Sequence, residues 1–334
     1  MNITILGSGG WGCALAIMTS KNGEAVTVWS PFEDEIAQLQ SDREHKKLLP
    51  GVKFPDGINL TTDISCVNGA DIIILAVPSN AVRDTARLIA DKIPEGQIVV
   101  NVAKGIENDT LKQLSTVIEE ELPNASIAVL TGPSHAEEVS RGIPTAVTVA
   151  SKNTACAEFV QSALISNTFR VYINNDLIGV ELGGALKNII ALVAGISDGI
   201  RMGDNTRAAL MTRGLSEIAR LGSAMGANKE TFAGLSGLGD LIVTCSSRHS
   251  RNHRAGVLIG EGIPAEEAVR KVGVVEGYPA TLAAHKLGLK YGVELPIIEQ
   301  CYQVLYGGKS PQQGVMDLMK RPKRHELEHN WLND

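Results

Sequence analysis

A chain of 334 residues, 44% hydrophobic and 20% charged, with a formal net charge of −6, has the makeup of an ordinary globular protein long enough for two domains. The acidic balance excludes a general nucleic-acid-binding surface and leaves room only for a local basic pocket. Five scattered cysteines, Cys13, Cys66, Cys156, Cys245 and Cys301, show neither C-x-x-C nor zinc-like spacing, so a reducing cytoplasm and no metal site are expected.

The first predicted strand, Ile3-Thr4-Ile5-Leu6, runs into Gly7-Ser8-Gly9-Gly10-Trp11-Gly12 and then into the helical pattern Cys13–Met18. Strand, G-x-G-x-x-G and helix in that order predict a dinucleotide-binding turn. Gly7 permits the tight bend, Gly9 lets backbone approach a pyrophosphate, and Gly12 lets helix and strand pack closely. The helix N-terminus adds N–H donors and partial positive charge. A second strand, Ala25–Trp29, follows at the spacing of a β-α-β unit. Because the chain opens directly on a strand, no leader peptide is expected, and no transmembrane segment either, the longest apolar run being Ile189–Ile196.

Further apolar runs at Asp71–Val77, Gln97–Val102, Ser126–Leu130, Thr145–Val149 and Thr168–Tyr172 read as buried strands. Helical segments at Asn80–Lys92 and Leu111–Glu121 separate some of them, so residues 1–175 are expected to form an α/β domain: a doubly wound, Rossmann-type, mainly parallel sheet. Ligands of such sheets bind beyond the carboxyl ends of the strands. Of the segments there, Val77-Pro78-Ser79 reads as a strand end with Ser79 capping a helix. Lys104, in Ala103-Lys104-Gly105, either meets a phosphate or carboxylate or reaches into solvent. Thr131–Glu138 is another strand-to-helix turn, in which Ser134 and the helix start are able to hold an anion; Ser134 and Glu137 also fit a capping box.

Strand patterns stop near residue 173, and Asn174-Asn175-Asp176 marks the boundary of a second, all-helical domain over 176–334. Helices are predicted at Val180–Ile200, Asn205–Met225, Pro264–Lys271, Pro279–Leu287 and Pro296–Leu305. Within Glu181–Ile196 apolar residues cover every face and Lys187 is the one cation. Burial disfavours its charge unless an anion compensates, which makes it an acid/base candidate, the alternatives being a buried pair with Glu181 or another carboxylate, or snorkelling. Asn188 adds an adjacent amide. In Gly234–Cys245, Asp240 and Thr244 share a face if a helix begins there, and Asp240 either holds Lys187 or a substrate hydroxyl, or merely caps the helix. Arg251 with Asn252 offers a guanidinium fork and an amide suited to a phosphate. The basic tail Lys320–His325 reads as a solvated terminus.

Taken together, Gly7–Ala16, Lys104-Gly105, Gly132-Pro133-Ser134-His135-Ala136, Gly179–Ile190, Gly237-Leu238-Gly239-Asp240, Ser250-Arg251-Asn252 and Val274-Val275-Glu276-Gly277 resemble, in order, the motifs of the bacterial-type NAD(P)-dependent glycerol-3-phosphate dehydrogenases. The resemblance implies reversible reduction of dihydroxyacetone phosphate to sn-glycerol 3-phosphate with NADH or NADPH, a role in phospholipid synthesis, and a homodimer. It places Gly10, Trp11, Lys104, Ala136, Arg251, Val274 and Glu276 at the cofactor. It places Lys104, Gly132, Ser134, Asp240, Ser250, Arg251 and Asn252 at the substrate, with Lys187 as acid/base positioned by Asp240, Asn188 and Thr244. One departure concerns the nucleotide. Members of that family usually carry arginine or histidine beyond the second strand, where this chain has Ser30-Pro31-Phe32-Glu33. Glu33 there hints at NAD, yet Ser30, Pro31 and Glu33 also make a capping box, so the choice between NAD and NADP stays open. The rival readings are a related hydroxy-acid dehydrogenase, which has no need of the Arg251-Asn252 clamp, and a non-catalytic NAD(H) sensor, which has no need of Lys187.

Overall fold

The structure, a computed structural model, describes residues 1–247, 249–323 and 325–326. The chain divides into two compact units: Met1–Glu107 with Lys112–Leu177, and Asn108–Leu111 with the chain from Ile178 onward. The first unit is built on one sheet of eight strands: β1 (Asn2–Leu6), β2 (Ala25–Trp29), β3 (Ile58–Thr61), β4 (Ile72–Leu75), β5 (Ile98–Asn101), β6 (Ser126–Thr131), β7 (Thr145–Ser151) and β8 (Phe169–Asn174). Their order is β3-β2-β1-β4-β5-β6-β7-β8, and every pair is parallel except β6 with β7.

Alternation along the strands explains the layers. Ile72 and Ile74 of β4 join Ile3, Ile5 and Val100 in one core, while Ile73 and Leu75 join Leu6 and Val99 in the other, so both sheet faces are covered. The strand order reverses between β1 and β4, which puts the glycine turn after β1 at the topological switch point. β3 went unpredicted because its four residues, Ile-Asn-Leu-Thr, alternate buried and exposed positions at a sheet edge and form no apolar run.

Two helix starts also differ from expectation. The segment read as Leu111–Glu121 becomes helical only at Leu114; a bridge between Ile106 and Gln113 and a positive φ of 59° at Leu111 hold the preceding residues in a turn. The segment read from Asn80 begins as a 3₁₀ turn, Ser79–Ala81, and becomes α-helical over Val82–Ile89, so Ser79 lies inside the turn and the N-cap positions are Pro78 and Ala81.

The described residues of the second unit contain helices and no strand. Its centre is Leu177–Gly199, of which 89% of an 18-residue window of mean hydropathy 1.7 is buried inside the protein. Length and hydropathy would suit a membrane span, but those apolar faces meet other helices. Small residues make the closest of these contacts possible. A Cβ at Gly195 would lie 2.1 Å from the His253 carbonyl oxygen, and one at Gly256 would lie 2.1 Å from that of Leu192. The backbone of helix Arg251–Gly260 therefore rests directly on that of Leu177–Gly199. Asp204–Ala224 packs nearby in sequence order and carries Glu217, 3% exposed, whose carboxylate accepts from the N–H groups of Ile297 and Ile298 at 2.8 and 3.1 Å. That carboxylate satisfies donors at the start of helix Pro296–Tyr306 that have no partner within the helix. Helices Arg251–Gly260 and Pro311–Met319 escaped the sequence reading. In the basic tail Lys320–Lys323 are exposed, and Arg324 lies outside the described residues.

Candidate active site

The glycine turn has the geometry its spacing requires. Gly7 takes φ +123°, and a Cβ there would lie 2.6 Å from the Ala76 carbonyl oxygen; a Cβ at Gly12 would lie 2.1 Å from that of Gly7. Both positions exclude any other residue. Gly9, by contrast, faces open space, with nothing within 4 Å of where its Cβ would stand. It is the N-cap of helix Gly10–Lys21 and provides no side-chain cap, so the first-turn N–H groups, those of Gly10, Trp11 and Gly12 among them, have no acceptor within the helix. A bare Cα in front of unsatisfied donors fits a dinucleotide pyrophosphate. Ala136 lies beside Gly10, 3.8 Å from the position a Gly10 Cβ would take.

Along the same edge of the sheet, the ends of β5 and β6 converge on one carbonyl. Lys104 Nζ and Ser134 Oγ both donate to the oxygen of Gly132, at 3.2 and 2.9 Å. Three of the predicted substrate residues are thus brought together. Asn101, which the sequence did not single out, shapes the approach: its side chain accepts from the Ala103 N–H at 3.1 Å and donates to the Ala103 carbonyl at 3.2 Å. The capping box expected of Ser134 is corrected, because the N-cap of Ala136–Val139 is His135 and the Ser134 hydroxyl turns back to Gly132.

In the second unit Lys187, 5% exposed, donates to Asp240 Oδ1 at 2.7 Å and to Thr244 Oγ1. Asp240 and Thr244 are 1% and 4% exposed. The Thr244 hydroxyl gives its proton to the Asp240 main-chain carbonyl at 2.6 Å, which leaves its lone pairs for the lysine. Of the partners open to Lys187, Asp240 is one with which it forms a buried ion pair. Asp240 is not the helix cap. It is the first residue of Asp240–Ser246, after a π turn over Leu235–Gly239 closed by Gly239 N–H to Gly234 O at 3.1 Å. The wide turn supplies the register that puts Asp240 and Thr244 on the face toward Lys187. Cys245, beside them, is a buried thiol that burial pushes up to about 12, with the Lys187 and Asp240 charges acting in opposite senses. It is neutral packing.

Asn188 and Asn252 form a second node. The Asn252 amide donates to Asn188 Oδ1 at 3.0 Å and accepts from the Gly277 N–H at 2.8 Å. It thereby ties Leu177–Gly199 to the starts of two helices, Arg251–Gly260 and Gly277–Tyr291, and gathers Ser250, Arg251, Val274 and Glu276 onto neighbouring turns. Ser250 caps the first of these helices, accepting from the His253 N–H at 3.2 Å, and the exposed Arg251 is its first residue. An arginine at a helix N-terminus adds its charge to the attraction that the N–H groups there exert on an anion. The Asn252 amide, in contrast, is occupied within the protein.

Sequence reading missed Asp198, which accepts from Arg207 at 2.9 Å and lies 2.8 Å from the ring nitrogen of His253. It fastens the first turn of the Arg251 helix to the end of Leu177–Gly199. Nothing in the local sequence announces it, since a charged residue near a helix end is commonplace. Among the described residues no group of three or more potential metal ligands occurs.

Residues 2–157 match the family described as NAD-dependent glycerol-3-phosphate dehydrogenase N-terminus, and residues 176–316 match its C-terminus. A protein from Desulfitobacterium hafniense named glycerol-3-phosphate dehydrogenase [NAD(P)+] is 53% identical over 98% of this chain and 93% of its own length. One of the same name from Bacillus subtilis is 51% identical over 98% and 95%. The crystal structure of glycerol-3-phosphate dehydrogenase from Coxiella burnetii is 38% identical, with a TM-score of 0.92 over 96% of this chain and 99% of that one.

Proposed function

The chain belongs to the NAD-dependent glycerol-3-phosphate dehydrogenase family, and from that premise we propose how its residues divide the reaction. The enzyme reduces dihydroxyacetone phosphate reversibly to sn-glycerol 3-phosphate with NADH or NADPH, and so provides the backbone of glycerophospholipids. We assign the nucleotide to residues 1–175 and proton transfer and phosphate binding to residues 176–334. Gly7, Gly9, Gly10, Trp11 and Gly12 receive the pyrophosphate, with Lys104, Ala136, Arg251, Val274 and Glu276 completing the cofactor's surroundings. When bound, the reduced nicotinamide supplies the hydride for the C2 carbonyl.

Lys187 gives the proton that converts the resulting alkoxide to the hydroxyl, and in the reverse direction takes it back. Asp240 compensates its charge in a dry site, and Thr244 and Asn188 fix its direction. Arg251, with Ser250, Lys104, Gly132 and Ser134, anchors the substrate, and Asn252 fixes the helix start that carries Arg251. A fixed phosphate turns remote binding energy into alignment of the carbonyl. The observation that carries this reading is the buried Lys187–Asp240 pair at 2.7 Å, with Lys187 on the largely apolar helix Leu177–Gly199. We further propose a cytoplasmic homodimer, as the family resemblance implies. Oxidation of NADH and NADPH with dihydroxyacetone phosphate, and with unphosphorylated dihydroxyacetone as control, tests the function: turnover is expected only with the phosphorylated ketone. Binding of reduced nucleotide without turnover would instead mark a sensor.

A further inference from the structure

β2 ends against the glycine turn, the Gly7 N–H donating to the Trp29 carbonyl at 2.9 Å. A ribose accompanying a pyrophosphate at that turn therefore meets the residues just after Trp29. In doubly wound sheets a carboxylate there accepts from a free 2′-hydroxyl, whereas a 2′-phosphate calls for an arginine or similar cation. Ser30–Asp42 contain no lysine, arginine or histidine.

The capping box that left Glu33 ambiguous does not form. Helix Glu33–Asp42 has Phe32 as its N-cap, without a side-chain bond, and opens with Glu33, Asp34 and Glu35. The Ser30 hydroxyl, 2% exposed, donates to Glu35 Oε2 at 3.0 Å and is not free for a phosphate. Glu35 stands close enough to the glycine-turn helix that its charge adds to burial in raising the Cys13 thiol. Glu33 and Asp34 are exposed, and neither enters an ion pair among the described residues.

Of the cations that follow, up to Lys53, Arg43, Lys46 and Lys53 are engaged elsewhere. Arg43 donates Nη1 to the Ile58 carbonyl at 3.1 Å and Nη2 to that of Pro55. Lys46 pairs with Asp42 at 2.8 Å and Lys53 with Glu44 at 2.9 Å, while Lys47 is exposed to solvent. His45 lies 3.7 Å from Glu35, and burial, against the opposing Glu35 charge, holds its imidazole below the usual pKa.

We propose that this acidic turn makes the enzyme select NADH over NADPH, with Glu33 as the specificity-determining residue. The proposal rests on the glycine turn being the dinucleotide site. A 2′-phosphate brings its negative charge to three carboxylates with no cation between them, and like charges brought together discriminate against the wrong ligand. The helix N-terminus, which would otherwise welcome an anion, is already offset by its own acids.

The test is steady-state reduction of dihydroxyacetone phosphate with each cofactor, by the full chain and by a Phe32→Arg/Glu33→Gln variant. Phe32 is 65% exposed, so an arginine is accommodated. For the native chain, kcat/KM should be at least about tenfold higher with NADH, the difference lying in KM. The variant should gain about tenfold with NADPH, a gain that misfolding cannot produce. Equal or better use of NADPH by the native chain overturns the proposal, as does a variant that turns over NADH and gains nothing with NADPH. If neither cofactor is turned over, the activity itself is refuted. The NADH and NADPH dissociation constants, read from protein fluorescence, then decide the preference.

Discussion

Arg251 and Asp240 separate binding from chemistry. Arg251 is exposed at a helix start; with the proposed role at the substrate phosphate, Arg251→Ala should raise KM for dihydroxyacetone phosphate by the equivalent of about 1.5–3 kcal/mol for a lost charged hydrogen bond and change kcat less. Steady-state kinetics against dihydroxyacetone phosphate checks this. Asp240→Asn should do the reverse: the buried ammonium loses its counter-charge, and kcat should fall roughly 10²-fold or more with a smaller change in KM. Lys187 was legible because it is the one cation in a stretch apolar on all faces, a pattern that burial alone leaves unexplained. Asp240 was one of several partners the residues left open, since it lies 53 positions away and competes on paper with Glu181. Only the π turn, which no propensity announces, decides which carboxylate arrives. The same limit applies to Ser30 and Ser134, whose spacing to a glutamate fits a capping box while their hydroxyls bond elsewhere.

Among the elements, the glycine pairs of the second unit are as demanding as the glycine turn of the first. Helix Arg251–Gly260 seats Gly256 and Gly260 on the backbone of Leu177–Gly199. Gly256→Ala should therefore cost roughly 1–3 kcal/mol, seen as a lowered Tm, and should also weaken substrate binding as Arg251 and Asn252 shift with the helix. A Tm within experimental error of the native chain's would show that the crossing relaxes freely. The strands of the parallel sheet read clearly because burial on both faces produces unbroken runs such as Ile72-Ile73-Ile74-Leu75. The edge strand β3 and the helix Arg251–Gly260 did not, because one is too short and half-solvated and the other is glycine- and charge-rich.

For the whole molecule, stability should carry the signature of one buried acid. Burial pushes Glu217 from 4.5 up to about 7, against the lowering effect of the two N–H groups it accepts from. A folded carboxyl raised above its unfolded value contributes stability that is complete below pH ~4.5 and lost as pH rises through about 7, roughly 3 kcal/mol at most. Denaturant unfolding at pH 5 and pH 8 should show that loss in the native chain and a smaller one in Glu217→Gln; equal losses would place the titration elsewhere. Division into a sheet-containing and a helical half was evident from the change of hydrophobic period near residue 173, and the chain passes from one unit to the other between Leu177 and Ile178. Assignment of Asn108–Leu111 to the second unit was not evident, because so short a segment has no period of its own.

The central claim is that Lys187 transfers the proton. The measurement that meets it most directly is kcat for NADH-dependent reduction of dihydroxyacetone phosphate by Lys187→Ala, with nucleotide binding followed in the same preparation by fluorescence. The account predicts that NADH binding survives while kcat drops by about 10²–10⁴-fold. Near-native kcat in a variant that binds NADH normally would contradict it.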